Sequence, residues 1–158
     1  MILHIVAVGR VKSVPLREAC DVYARRLRRY QKLRIHEVRD AGRRDADAAA
    51  ARRVEAEAVR RALPDGARVM ALTRSGHACN SAELAQLLDA WRHDARDVAA
   101  VIGGAHGLGQ DVLEGAERRL SLSALTLPHD LARVVLLEQL YRACTILRGE
   151  PYHKGGEA

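Results

Sequence analysis

The stretch DVAAVIGG at 97–104 constrains the fold more than any other part of the chain. Val98 to Ile102 is apolar without a break and stops at paired glycines. A strand that alternates can leave one face in water, but a strand with no polar position must be covered on both. That is the situation of a central strand in a parallel sheet. Parallel neighbours are joined only by crossovers, and crossover helices are what cover such a sheet. The run therefore predicts alternating strands and helices on either side of it.

The rest of the chain alternates in that way. ILHIVAVG (2–9) reads as a strand closed by Gly9, and Pro15 opens a helix whose apolar side is Leu16, Ala19, Cys20, Tyr23, Leu27 and Tyr30. Leu33 to Val38 is a more polar strand, suited to a place near an edge. Residues 44–62 form an Ala- and Arg-rich helix with a thin apolar stripe, ended by the turn signal Pro64-Asp65-Gly66. ARVMALT (67–73) is a third strand, with RSGHACN read as the loop after it. Asn80 caps the next helix, Glu83 completes a capping box, and Leu84, Leu87, Leu88 and Trp91 form its inner face. After the central strand come a helix near 110–120, a strand SLSALTL (121–127), and a long helix from Pro128 to about Leu147. The tail, 149–158, should be irregular. The expected fold is one α/β domain over residues 1–158, a mostly parallel sheet flanked by helices.

Composition narrows the function classes. At 158 residues the chain can bury about two-thirds of its unfolded surface. No apolar run is long enough to span a membrane, and the N-terminus reads as a strand and not as a secretory signal. Three scattered cysteines, Cys20, Cys79 and Cys144, fit a reducing cytoplasm better than a disulfide framework. Residues 1–61 hold 16 Lys and Arg against 8 Asp and Glu, whereas residues 62–158 hold 10 against 12. Positive charge concentrated in one part of a chain suits a polyanionic partner, most simply nucleic acid. Arg outnumbers Lys 23 to 3, which a genome-wide codon bias would also produce.

Four segments could carry chemistry. IGGAHGLG (102–109) brings clustered glycines to the end of a strand, where backbone amides can approach a ligand, or it is a plain turn. Its spacing is not the dinucleotide fingerprint, and no Walker motif occurs. SLSALTLPHD (121–130) puts three hydroxyls in an apolar segment, with Pro128 and His129 at the helix start. It reads either as a well-begun helix with a satisfied histidine or as a pocket with His129 on its rim. None of the seven histidines has metal-ligand spacing, so a metal site has no support. Arg142 with Tyr152, His153 and Lys154 could stack on a base and hold a phosphate, or the tail is simply solvated. Arg25, Arg26, Arg28 and Arg29 are the candidate phosphate contacts on the first helix.

RDVAAVIGGAHGL (96–108), LSLSALTLPHDLARVVLLEQLYRA (120–143) and GEPYHK (149–154), in that order, resemble the ribosomal RNA large subunit methyltransferase H family of the SPOUT superfamily. The resemblance implies a homodimer with a C-terminal trefoil knot that binds S-adenosylmethionine. It also implies methylation of N3 of a pseudouridine in large-subunit ribosomal RNA. Carried over residue by residue, the cofactor contacts are Leu72, Gly104, Ser123, Ala124, Leu125, Thr126, Leu127 and Pro128. The catalytic neighbourhood is His129, Arg142, Tyr152 and His153, with the tail expected to complete the partner's site. Two other readings stand beside this one: a non-catalytic ribosome-associated RNA-binding protein with the same fold, and a flavodoxin-like nucleotide enzyme. The latter lacks a phosphate-cradling loop after the first strand.

Overall fold

A computed structural model describes residues 1–42 and 47–153. Five strands alternate with five helices along the chain. They are β1 (Leu3–Val8), α1 (Val14–Leu27), β2 (Leu33–Val38), α2 (Ala48–Ala62), β3 (Arg68–Ala78), α3 (Ser81–Arg92), β4 (Val98–Ile102), α4 (Gln110–Glu114), β5 (Arg118–Ser121) and α5 (His129–Leu147). Every strand pairing is parallel, in the order β2-β1-β4-β3-β5. As the unbroken apolar text requires, β4 is in the middle and all five of its residues are buried. The more polar β2 is an edge strand, as expected.

The two faces of the sheet are covered separately. Leu3, Ile5, Met70, Ala100 and Leu120 turn toward α1, α3 and α5, with Leu136, Leu137 and Leu140 of α5 completely buried among them. Val6, Val8 and Val101 turn the other way, against Ala56 and Val59 of α2 and Val112 of α4. The α2 stripe is thin, as its sequence indicates, but small residues let that helix approach closely. Asn80 and Glu83 form the expected reciprocal capping box at the start of α3. Residues 44–46 of the helix expected at 44–62 lie outside the described residues.

Three boundaries differ from the sequence reading. The segment expected as the strand 121–127 is a strand only over Arg118–Ser121, and residues 122–128 form an open loop. The hydroxyls explain this: Ser121 Oγ donates to the Ser123 carbonyl at 3.0 Å, and Ser123 Oγ accepts from Leu125 N–H at 2.9 Å. Local hydroxyl bonds of this kind compete with a ladder and bend the chain. Conversely, most of the expected loop RSGHACN is the continuation of β3 to Ala78, paired with β5 after a register break between Leu72 and His77. At Gly76 the two backbones pass so closely that a Cβ would lie 2.6 Å from the Leu120 carbonyl carbon, so only glycine fits there. The helix expected near 110–120 is limited to Gln110–Glu114.

A candidate active site at the two ends of the last helix

Because every strand is parallel, the segments leaving β3, β4 and β5 emerge on one edge of the sheet. Leu72 of β3 is in register with Ile102 of β4 and Leu120 of β5. Gly104 stands two residues past Ile102, and Ser123 stands three past Leu120. The three parts of the expected cofactor wall are therefore neighbours on adjacent strands. The glycine segment folds tightly: Gly107 N–H donates to the Gly104 carbonyl at 3.1 Å, and a Cβ on Gly103 would meet the Gly107 carbonyl carbon at 2.7 Å. Beneath it is Glu55 of α2, buried, with one carboxylate oxygen accepting from Ala41 N–H and the other lacking a hydrogen-bond partner among the described residues. Burial, with Asp40 nearby, pushes the Glu55 carboxyl up from its ordinary value. A Cβ on Gly104 would lie 3.2 Å from that carboxylate, so the loop rests directly on it.

Opposite the glycines, Ala124, Leu125, Thr126 and Pro128 are exposed, while Ser123 and Leu127 are half-buried. Leu125 is 75% exposed and joins no part of the core. The side chains in this loop are occupied in shaping it. Ser123 closes the turn, and Thr126 Oγ1 accepts from Arg74 Nη1 at 3.0 Å, tying the loop to the β3 extension. What the loop offers a ligand is therefore main chain and an apolar surface. That donor set, backbone amides and carbonyls beside an exposed leucine, suits a flat ring such as a purine. The residues fit S-adenosylmethionine.

His129 begins α5 beside this wall. Its Nε2 is 3.0 Å from Asp130 Oδ1 but not aligned as a hydrogen bond, and among the described residues that oxygen has no hydrogen-bond partner. Asp130 Oδ2 accepts from Lys12 N–H at 3.3 Å. One turn on, Arg133 is buried and reaches across the ends of β1 and β2. Its Nη1 donates to Glu37 Oε1 at 2.5 Å and its Nη2 to the Gly9 carbonyl at 2.8 Å. These contacts fix where α5 starts relative to the sheet.

Arg142, Tyr152 and His153 are somewhere else. Thirteen helical steps lead from His129 to Arg142 in one continuous helix, a rise of about 20 Å. Within one chain, the structure thus brings the expected cofactor residues to His129, and Tyr152 to Arg142, but does not bring the two groups together. The Arg142 guanidinium carbon stands 4.7 Å over the Tyr152 ring, and that ring packs edge-on against Tyr141 at 4.7 Å. Tyr23 and Tyr30 of the α1 region complete an aromatic cluster, with Arg26 over Tyr23 and Tyr141. Tyr30 also bonds Glu150, which holds the start of the tail against α1. Nδ1 of His153 is buried without a hydrogen-bond partner among the described residues, and Lys154 with the GGEA ending lies outside them.

The sequence reading missed Glu55, Arg74, Asp130, Arg133 and Glu138. For two of them a signal was present. Arg133 and Glu138 are charged residues inside the apolar run LARVVLLEQL, and a charge in such a run must be paired. The partners of Arg133, however, are about a hundred residues away in sequence.

Comparison with known proteins places these features in a family. Residues 1–153 match the model described as "Predicted SPOUT methyltransferase". The chain is 51% identical over 154 residues to a protein of Anaeromyxobacter sp. (strain Fw109-5) named ribosomal RNA large subunit methyltransferase H, covering 98% of this chain and 100% of that one. A protein of Gemmatimonas aurantiaca with the same name is 46% identical over the same shares. Among solved structures, a probable methylase family protein from Haemophilus influenzae Rd KW20 matches with a TM-score of 0.56 at 15% identity, covering 99% of this chain and 72% of that one. A probable methyltransferase from Bordetella pertussis Tohama I matches with a TM-score of 0.55 at 21% identity, covering 90% and 93%. The two structural likenesses concern the fold alone.

Proposed function

This chain belongs to the ribosomal RNA large subunit methyltransferase H family of SPOUT methyltransferases, and from that premise we propose that it methylates large-subunit ribosomal RNA at N3 of a pseudouridine, using S-adenosylmethionine. The observation that carries this reading is the meeting of Leu72, Gly104 and the 123–128 loop on one edge of the sheet, with His129 beside them. The bound cofactor supplies an electrophilic methyl group on a sulfonium. The chain's part is to hold that group and the target base within about 3–3.5 Å and in line. N3 of a uracil-type ring bears a proton that must leave before the nitrogen can attack. The His129 imidazole is at the right edge of the sheet to take that proton.

The tail residues enter this site from a second copy. Val135 of α5 is half-buried and Leu136 buried, and α5 is apolar around most of its circumference. Antiparallel pairing of two such helices about a twofold axis near residues 135 and 136 sets His129 beside the partner subunit's Arg142. The trefoil knot belongs to the same proposal, as does the reading of residues 1–158 as one domain. With no separate RNA-binding module in that domain, the exposed Arg25, Arg26, Arg28 and Arg29 supply the phosphate contacts.

Labelled S-adenosylmethionine, incubated with the protein and either free large subunits or whole ribosomes, tests the reading when the methylated nucleoside is then mapped. The expected product is an N3-methylated pseudouridine in large-subunit RNA. Label on another nucleoside overturns the assigned position. No transfer, together with no calorimetric binding of the cofactor, supports a non-catalytic RNA-binding role instead.

A further inference from the structure

Glu138 is about two turns before the end of α5; it falls inside the stretch 120–143 that carries the family resemblance, which assigns it no role. Its Oε1 accepts three hydrogen bonds: from Arg142 Nε at 3.0 Å, from Arg142 Nη2 at 2.6 Å and from Tyr152 O–H at 3.1 Å. Its Oε2 accepts from Gln139 Nε2 at 2.7 Å, and Gln139 in turn accepts from Ser81 Oγ of α3 at 2.7 Å. The side chains of Glu138 and Arg142 are 16% and 25% exposed, so this is no solvated surface pair. We propose that Glu138 is a positioning residue of the methyl-transfer site, joining Arg142 and the tail's Tyr152 into one rigid unit through a single carboxylate oxygen. The assignment rests on the function proposed above.

The geometry changes what Arg142 and Tyr152 can do. With a carboxylate on two of its nitrogens and an aromatic ring on its face, Arg142 has its charge compensated, so it is poorly placed to act as a free phosphate anchor. What it does well is support the Tyr152 ring from below. Tyr152 donates its only phenolic proton to Glu138 and is pushed up to about 12, by burial first and then by hydrogen bonds to Tyr23 and Glu138. It therefore stays a neutral phenol and serves as a surface for a base to lean on, not as a proton acceptor. Glu138 acts through these two residues and need not touch the RNA.

A double-mutant cycle separates positioning from simple support of the fold. Glu138→Gln alone should lower single-turnover transfer from saturating S-adenosylmethionine to whole ribosomes on the order of tenfold. Tyr152→Phe should also lower it, and the two together should lose little more than the worse single variant. Calorimetric affinity for the cofactor should stay within about twofold in all three, because the 123–128 loop proposed to hold it is shaped by Ser123, Thr126 and Arg74 and draws on neither Glu138 nor Tyr152. Additive losses, or cofactor binding that weakens in step with transfer, overturn the role of Glu138. If Glu138→Gln loses its folded dichroism, Glu138→Asp, which keeps the charge on a shorter arm, goes through the same cycle under the same criteria. A wild type that binds the cofactor but transfers no methyl group to ribosomes overturns the function itself. An active wild type with additive losses overturns Glu138 alone.

Discussion

The two ends of α5 are built from different materials. At its start, the wall formed by Leu72, Gly104 and residues 123–128 is mostly main chain, and its serine and threonine hydroxyls are turned inward to shape the loop. At its end, Glu138, Arg142, Tyr141 and Tyr152 form a unit made wholly of side chains. A main-chain wall suits a ligand that never varies, because backbone geometry is fixed once the fold is. A side-chain unit that includes a tail residue suits a large and irregular partner, because side chains can adjust where a backbone cannot. The difference implies that damage at one end should abolish cofactor binding, and damage at the other should spare it.

The largest expected effect tests that division directly. Gly103→Val places carbon where only 2.7 Å separates a Cβ from the Gly107 carbonyl carbon, so the cradle must open. Calorimetric affinity for S-adenosylmethionine should fall on the order of a hundredfold while the folded dichroism is retained. An unchanged affinity would remove the glycine segment from the cofactor wall.

The second test asks whether the two ends work across chains. His129→Ala and Arg142→Ala homodimers should each be close to inactive. Mixed dimers of the two should recover about half of the wild-type rate, since one of their two sites is intact. Mixed dimers as poor as their parents would mean that no site draws on both chains.

A smaller effect concerns what anchors the start of α5. Arg133→Met removes the bonds to Glu37 and Gly9 and leaves both acceptors without their donor. Glu37 is about one-third exposed and can turn to water, so the cost should be about 2 kcal/mol and not the full loss of a buried pair. Thermal melting should move down by roughly 4–8 °C.

The smallest effect is on the far edge of the sheet, away from both ends. His36 stacks on buried His4 with ring centroids 5.2 Å apart, and His4 Nδ1 is 3.0 Å from His36 Nε2. Burial first, then the charges of His4 and Arg34, hold His36 below its ordinary value. The unfolded chain therefore binds more protons than the folded one as pH falls through the unfolded value of about 6.5, and stability drops across that window. Melting temperatures should decline modestly from about pH 7 to about pH 5, and His36→Asn should flatten the decline. An equal decline in the variant would assign the acid sensitivity to another group.

How legible these features were in the sequence follows the distance over which their causes act. The unbroken β4 run and the Asn80–Glu83 box are determined within a few residues, and both stand where the sequence puts them. SLSALTL misled because its apolar positions suit a strand, while the bonds that bend it, Ser121 to Ser123 and Ser123 to Leu125, show only once the hydroxyls are followed individually. The continuation of β3 through Gly76 depends on β5, more than forty residues later, and no local pattern announces it. The members of the candidate site were named through resemblance to a family. Their division between two ends of one helix was not, because His129 and Arg142 look close in the sequence and are about 20 Å apart along the helix.

That helix also acts as a ruler. Surface turns such as Pro64 to Gly66 can gain or lose a residue at small cost. One residue inserted between His129 and Arg142 would turn everything beyond it by about 100° and advance it by about 1.5 Å. Glu138, Arg142 and the tail would then face a different direction from the one in which α1 and α3 hold them. Among related chains, length should therefore vary freely before α5 and hardly at all within it.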